Sequence, residues 1–153
     1  TKFVKTAWSK KMNYHFKIRK ESRGYSAHCM ELEGCRTEGN TIVELKKNAS
    51  EALNLFLSEP ADSKLIFPKP KLRVRGKNVL KMAVEPSIAI ANRIRELRIE
   101  NELTQNAMKD RLGIKNLSNY QRLEDPRRAN PEWATLFLIK KAFPSFHVDD
   151  LMT

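Results

Sequence analysis

Amide side chains are concentrated in one short stretch of the chain, from Lys115 to Arg122, together with a guanidinium group. Asparagine, glutamine and arginine can each form two hydrogen bonds with a base edge in the DNA major groove. A helix that is merely solvated would more often carry glutamate and lysine. This composition therefore predicts a helix that reads DNA sequence.

The segment before this stretch has the pattern of a helix followed by a tight turn. Thr104 can cap the first helix, and Gly113 can adopt the left-handed conformation that ends it. Apolar residues recur at the inward positions of both helices, at Met108, Leu112, Tyr120 and Leu123. We expect a helix-turn-helix whose DNA-binding residues are Thr104, Gln105, Lys115, Asn116, Ser118, Asn119, Gln121 and Arg122. The alternative is a two-helix corner within some other helical domain.

The cysteine and histidine residues give no sign of a metal or catalytic site. Cys29 and Cys35 fall outside the usual metal spacings, and the three histidines, His15, His28 and His147, are scattered. His28 and Cys29 are adjacent, so on a strand they point to opposite faces. The sequence also lacks a glycine-rich phosphate loop and a nucleophile elbow. We expect no metal, no cofactor and no enzymatic activity, with both thiols as small buried groups.

The charge of the chain, +11 overall, is distributed unevenly. Residues 1–23 carry eight basic residues and one acidic residue, and residues 64–81 carry seven basic residues and no acidic ones. Between them, residues 24–63 carry three basic and seven acidic residues. This pattern indicates two modules joined by a cationic connector. The connector is either a solvated linker or a tether that follows DNA phosphates.

Alternating apolar and polar residues predict a small antiparallel sheet near the start of the chain. The period-two pattern runs from Tyr14 to Arg19 and again from Tyr25 to Cys29, with a turn between them. Gly34 and Gly39 bracket a third short strand, expected at Cys35 to Glu38. The first two strands should form a hairpin because so few residues separate them.

A helix should follow the sheet, because Thr41 and Glu44 have the spacing of a capping box. Apolar residues recur at helical spacing behind them until Glu59-Pro60, so one helix face should pack on the sheet. Residues 65–67 are expected to form a strand that rejoins the sheet. Residues 71–84 fit either a hairpin or an extended tether, and a long helix is expected from Ser87 to Asn101.

No stretch of the sequence approaches the roughly 18 consecutive apolar residues that a membrane helix needs. The first eleven residues contain four lysines but no apolar block followed by small residues, unlike a signal peptide. We therefore expect no membrane partner and a cytoplasmic location.

Two parts of the chain resemble known families, and they occur in a specific order. Residues 14–57 resemble the HicB-type antitoxin domain, in particular Gly24 to Ala27, Glu31 to Cys35, Thr37 to Thr41 and Asn48 to Leu53. Residues 87–152, including Tyr120 to Pro131, resemble the Cro/repressor-type (Xre) helix-turn-helix that many such antitoxins carry at the C-terminus.

The resemblance implies an α+β N-terminal domain, a small antiparallel sheet with one helix in a partial ribonuclease-H-like fold, followed by an all-α helix-turn-helix domain. It implies that the first domain neutralises a HicA-type toxin that cleaves messenger RNA. It also implies that the second domain represses the shared operon by binding operator double-stranded DNA. From the amide-rich helix we expect a homodimer or higher homo-oligomer, in which a dimer spans two half-sites. The surface facing a basic toxin is expected at Glu31, Glu33 and Glu38. The alternative is a stand-alone transcription regulator with no toxin partner.

The expected organisation is a basic N-terminal arm at residues 1–11, a HicB-like toxin-binding domain at 12–67, a basic linker at 68–85 and a helix-turn-helix DNA-binding domain at 86–153. The first domain is not expected to be a nuclease. Two-metal cleavage needs several converging carboxylates, and no aspartate lies between Met12 and Ala61.

Overall fold

The structure is a computed structural model that describes residues 12–71 and 73–151. The expected N-terminal arm lies outside the described residues. The chain divides into two compact units. Of the described residues, the first contains those from Met12 to Phe56, from Phe67 to Val84 and from Asp149 to Leu151, whereas the second contains Leu57–Ile66 and Glu85–Val148. The units therefore alternate along the sequence, and residues 57–66 belong to the second unit.

The first unit is built on a four-stranded antiparallel sheet. Its strands are β1 (Asn13–Lys20), β2 (Tyr25–Cys29), β3 (Arg36–Gly39) and β4 (Val79–Ala83), in the order β3-β2-β1-β4. The three strands predicted at the start of the chain are confirmed, with β3 shifted by one residue. Phe16 lies opposite Cys29 on one side and Leu80 on the other, so apolar residues line one face of the sheet.

Strand β4 corrects the prediction of a linker at residues 68–85. It pairs with β1 along its whole length, so this part of the basic segment is a sheet edge and not a tether. The alternation of apolar and polar residues explains why this segment forms a strand, because Leu80 and Met82 are partly buried whereas Lys81 is exposed. A lysine on an edge strand also discourages pairing with another chain.

Helix α1 (Ile42–Phe56) packs on the sheet, and its capping box is confirmed. The Glu44 N–H donates to Thr41 Oγ1 at 3.1 Å, and Glu44 Oε2 accepts from the Asn40 N–H at 2.8 Å. One stripe of the helix is fully buried, at Leu45, Ala49 and Leu53. A Cβ atom at Gly39 would lie 2.5 Å from the Leu45 backbone nitrogen, so only glycine permits this approach of helix and strand. The helix ends at Phe56, three residues before the predicted end.

The strand predicted at residues 65–67 is wrong, because this segment has no regular secondary structure. Pro68 and Pro70 follow it and cannot donate backbone hydrogen bonds to a sheet. Side chains anchor the segment that begins at Phe67 instead. The Phe67 ring lies 6.0 Å from the Phe56 ring, and the Tyr14 hydroxyl donates to the Pro68 carbonyl at 2.8 Å.

The second unit is helical. It contains α2 (Pro86–Glu100), α3 (Gln105–Arg111), α4 (Leu117–Leu123) and α5 (Trp133–Ala142). A 3-10 turn at Val148–Leu151 begins at the last residue of this unit and continues into the residues assigned to the first. Its core side chains include Ile94, Leu97, Met108, Tyr120, Ile139 and Phe146. With the sheet and α1 of the first unit, this confirms the α+β class. Within the described residues, no helix is long and apolar enough to span a membrane.

Candidate nucleic-acid interface and acidic surface

A short turn joins helices α3 and α4, and it begins with the left-handed glycine that the sequence predicts. Thr104 Oγ1 caps α3 by accepting a hydrogen bond from the Ala107 N–H at 3.1 Å. Gly113, with φ of 70°, makes the left-handed turn after α3. The predicted inward residues are all buried, at Met108, Leu112, Tyr120 and Leu123. The inward faces of both helices therefore form part of the core of the second unit.

A buried ion pair braces α4 against α2. The Glu124 carboxylate is fully buried and accepts two hydrogen bonds from Arg98, at 2.6 Å from Nε and 2.9 Å from Nη2. The Tyr120 hydroxyl donates to the same carboxylate. These hydrogen bonds raise the pKa of Arg98, and burial together with the nearby Glu124 charge raises the pKa of Tyr120. Both ionisable groups therefore keep their ordinary protonation state.

Sequence reasoning missed this ion pair, although a signal was present. Arg98 follows Ile94 by four residues, so it lies on the buried stripe of α2, where a cation needs a partner. Glu124 follows Tyr120 by four residues at the end of α4. A buried arginine and an inward glutamate in one helical unit predict a pair, but the sequence does not indicate which residues meet.

Of the eight residues predicted to bind DNA, five form an exposed group and two glutamines are partly buried. The exposed group is Lys115, Asn116, Ser118, Asn119 and Arg122. Gln121 Nε2 donates to Gln105 Oε1 at 3.0 Å, and Gln105 Nε2 donates to the Ala61 carbonyl at 2.8 Å. The two glutamines thus link α3 to α4, and the exposed polar surface of α4 centres on Asn119 and Arg122. Thr104, the eighth predicted residue, is exposed, but its hydroxyl is the cap of α3.

Two further exposed cations, Arg127 and Arg128, follow α4 and were not among the predicted site residues. The Asp125 carboxylate organises their loop. It accepts from the Arg127 N–H at 2.9 Å and from Arg128 Nε at 3.0 Å. The Arg127 backbone bond and the Arg128 side chain hold the pKa of Asp125 below its usual value. Together with Arg122, these residues give the end of α4 a positive charge.

The structure corrects the prediction that Glu31 is a surface acid. Its side chain is 1% exposed, and its carboxylate accepts from the His15 N–H at 3.0 Å, from His15 Nδ1 at 2.6 Å and from the Lys71 N–H at 3.2 Å. Burial opposes ionisation of Glu31, but the hydrogen bonds from His15 and Lys71 outweigh it and lower the pKa. Glu31 therefore ties the segment at Lys71 to β1 and is not available to a partner protein.

Glu33 and Glu38 are exposed, as predicted. Both line a shallow open depression on the first unit, which also carries the basic side chains of Arg19 and Arg36. The depression therefore carries both positive and negative side chains. Of the three predicted acids, Glu33 and Glu38 are exposed and Glu31 is not.

The two thiols behave as structural groups. Cys29 and Cys35 are free and buried, and the Cys29 N–H donates to the Cys35 carbonyl at 2.8 Å. A hydrogen bond between the thiols raises the pKa of Cys29 and lowers that of Cys35. Among residues 12–71 and 73–151, no group of three or more His, Cys, Asp or Glu side chains could hold a metal ion.

The fold defines a two-part protein, in which a small sheet-and-helix unit is combined with a helical unit that presents a polar helix. No family model matches the chain. The chain is 33% identical over 69 residues to UPF0150 protein ssr1765 of Synechocystis sp., an alignment that covers 44% of this chain and 87% of that protein. The chain therefore belongs to the UPF0150 family.

Proposed function

We propose that this chain is the antitoxin of a type II toxin–antitoxin pair. Its sheet-and-helix unit, in a partial ribonuclease-H-like arrangement, binds and neutralises a HicA-type toxin that cleaves messenger RNA. Its helical unit is a Cro/repressor-type helix-turn-helix that represses the shared operon by binding operator DNA. The proposal rests on one combination of observations: residues 14–57 resemble the HicB-type antitoxin domain, and α4 exposes side chains that can form hydrogen bonds with base edges and is held in place by the Arg98–Glu124 pair.

The arrangement of α4 supports DNA recognition. Asn119 and Arg122 are exposed and can form paired hydrogen bonds with adenine and guanine. Arg122, Arg127 and Arg128 supply positive charge for phosphates, which contribute affinity and position the protein. The buried Arg98–Glu124 pair fixes the orientation of α4, and a fixed helix loses less entropy on binding.

A homodimer is the assembly that suits this recognition. One copy of α4 spans only a few base pairs, whereas two copies related by a twofold axis read an inverted repeat. The half-sites should lie about one helical turn of DNA apart, roughly 34 Å, or a multiple of it.

The first unit supports binding rather than catalysis. Glu31, an acidic residue close to the strands, already has its carboxylate occupied by His15 and Lys71. The exposed Glu33 and Glu38 can instead attract a basic partner, because opposite charge raises the association rate. We propose that the unit is a binding scaffold without nuclease activity.

The second candidate is a stand-alone transcription regulator, in which the first unit senses or assembles without any toxin. It is favoured by the same polar surface of α4 and differs only in the partner of the first unit. The presence of a gene for a small basic protein beside this one distinguishes the two functions.

Co-expression with the neighbouring gene product tests the toxin-binding role. We expect the small basic protein to co-purify with this chain, and its toxicity to be suppressed by co-expression. The double change Glu33→Lys and Glu38→Lys should slow association and reduce its dependence on salt. The double change Glu51→Lys and Glu132→Lys is the matched control, because it alters the net charge by the same amount at two other exposed acids. If both variants associate at the wild-type rate, the acidic surface is not the toxin contact.

A further inference from the structure

Cys29 and Cys35 are the two cysteines of the chain, and the fold places them opposite each other at the end of the β2–β3 ladder. The register of β2 with β3 pairs His28 with Arg36, so Cys29 and Cys35 form the next pair along the ladder. The Cys29 N–H donates to the Cys35 carbonyl at 2.8 Å, as this pairing requires. Side chains of directly opposite residues lie on the same face of a sheet, so the two thiols are neighbours. In the reduced chain both fill space in the core.

The spacing of this pair suits a disulfide bond. Opposite residues joined by a backbone hydrogen bond have Cα atoms about 5.5 Å apart, whereas disulfides span Cα distances of about 4.4 to 6.8 Å. The Cβ atoms of a disulfide are closer than those of a strand pair, so they must approach each other by roughly 1 Å. The ladder is open at this point, because the Cys35 N–H donates to the Leu32 carbonyl at 3.2 Å and not to β2. One hydrogen bond and not two therefore joins the pair, and a small approach of the thiols leaves the rest of the sheet unchanged.

The two thiols differ in how readily they ionise. The Cys29 thiol donates to the Cys35 sulfur and to Glu31 Oε2, which lies 3.5 Å away. The hydrogen bond to Cys35 stabilises a thiolate at that residue and lowers its pKa, whereas the same hydrogen bond and burial raise the pKa of Cys29. The thiolate is the reactive form of cysteine, so Cys35 is the nucleophile of the pair and Cys29 is the thiol that reacts second.

Both cysteines border the open depression that also carries Glu33 and Glu38. Cys29 is 5% exposed and Cys35 is 3% exposed, so little of either residue is accessible to a bulky reagent. A small uncharged oxidant such as hydrogen peroxide suits this environment. A neighbouring thiol also captures a sulfenic acid as a disulfide before it is oxidised further.

We propose that Cys29 and Cys35 form a peroxide-sensitive dithiol that is converted reversibly into a disulfide. The Cys35 thiolate attacks one oxygen of hydrogen peroxide and becomes a sulfenic acid, and the hydroxide released takes up the proton that the Cys35 thiol has lost. The Cys29 sulfur then attacks the Cys35 sulfur, and the S–S bond forms as the Cys29 proton and the sulfenic hydroxyl leave together as water. The two thiols thus lose two electrons and two protons, and one peroxide becomes two water molecules.

The disulfide would close the loop between β2 and β3. Residues 30–34 in this loop carry Glu31, whose carboxylate accepts from the Lys71 N–H, and the exposed Glu33. A cross-link between the two ends of a loop restricts the conformations open to it, so local opening of the loop becomes rarer. The reaction requires neither a toxin nor DNA.

Intact-mass spectrometry of the full chain tests the reaction. The native protein is treated with hydrogen peroxide, then unfolded and alkylated with N-ethylmaleimide. We expect a mass about 2 Da below that of the reduced chain with neither thiol alkylated, and alkylation of both thiols after treatment with dithiothreitol. Two alkylated thiols after peroxide treatment, a mass increased by added oxygen, or cross-links between chains in place of within them would overturn the proposal.

Single replacements test the order of the two steps. In Cys29→Ser the serine hydroxyl keeps a donor beside Cys35 but cannot form a disulfide, so dimedone should trap the sulfenic acid at Cys35. Cys35→Ser is the matched control, because it leaves the thiol whose pKa is raised, and dimedone labelling should be slower by roughly tenfold or more. Equal labelling of the two variants would contradict Cys35 as the nucleophile.

Amide hydrogen exchange of the wild-type chain gives a readout that needs no variant. Exchange in residues 30–34 should be slower in the oxidised chain than in the reduced chain. The turn at residues 21–24, which joins β1 to β2, is the internal control and should exchange at the same rate in both. An unchanged rate in residues 30–34, or equal slowing in both segments, would contradict closure of the loop by the disulfide.

Discussion

The buried Arg98–Glu124 pair should be the most sensitive single point of the helical unit. Glu124→Gln keeps the size of the side chain but removes the charge that compensates Arg98, in a position that is fully buried. Removing one partner of a buried pair costs about 3 to 5 kcal/mol, because the remaining charge is left without compensation. At the lower end of this range, the population of open states rises by about two orders of magnitude.

Amide hydrogen exchange of α2 and α4 measures this loss in the helical unit separately from the sheet. The matched control is Glu100→Gln, because Glu100 also pairs with an arginine, at 3.6 Å from Arg93 Nη1, but its side chain is 44% exposed. An exposed pair contributes no more than about 1 kcal/mol. The reasoning fails if the two variants increase exchange by the same factor.

A triple replacement separates the charge effect from packing. Arg98→Met, Tyr120→Phe and Glu124→Leu remove the three polar partners together, and apolar replacement of a buried ionic group is often neutral. Most of the stability lost in Glu124→Gln should therefore be recovered. If the triple variant is less stable than Glu124→Gln, the polar network itself is needed for the fold.

Further predictions concern the first unit. The pKa of Glu31 is lowered in the folded state from its ordinary value of 4.5, so its contribution to stability is present above this value and is lost as the pH falls below it. In acid titrations followed by circular dichroism, Glu31→Gln should flatten this part of the stability profile, and an unchanged profile would contradict the role of His15 and Lys71. Gly39→Ala should lower the melting temperature, because its Cβ would lie 2.5 Å from the Leu45 backbone nitrogen, whereas Lys46→Ala, at an exposed position of α1, should have a small effect. A fragment of residues 12–84 contains all four strands and α1, and should bind the toxin in pull-down assays without binding DNA; operator binding by this fragment would contradict the division of roles.

Local patterns predicted most of the secondary structure because they depend on neighbouring residues. The capping box at Thr41 and Glu44 and the turn at Gly113 each involve residues a few positions apart. Strand β4 was left undecided between a hairpin and a tether, since its pairing with β1 joins residues more than sixty positions apart. The prediction of a strand at residues 65–67 was wrong, because the apolar run is short and the two prolines that follow it cannot donate backbone hydrogen bonds to a sheet.

The candidate sites were predicted less completely, for reasons of packing. The exposed positions Asn119 and Arg122 followed from helical spacing, whereas the burial of Glu31 depends on His15 and on the Lys71 backbone. The sequence did not distinguish Glu31 from Glu33 and Glu38 as toxin-facing acids, because charge alone does not show which carboxylate accepts hydrogen bonds within the fold.

Footprinting and quantitative binding on the DNA upstream of the gene test the central claim most directly. The wild-type chain should protect an inverted repeat, and Asn119→Ala should reduce discrimination between this repeat and a scrambled sequence by about 1 to 3 kcal/mol. Arg36→Ala, which removes an exposed cation from β3, should leave that discrimination unchanged. Equal binding of the wild-type chain to both sequences, or unaltered discrimination in Asn119→Ala, would contradict recognition of DNA through α4.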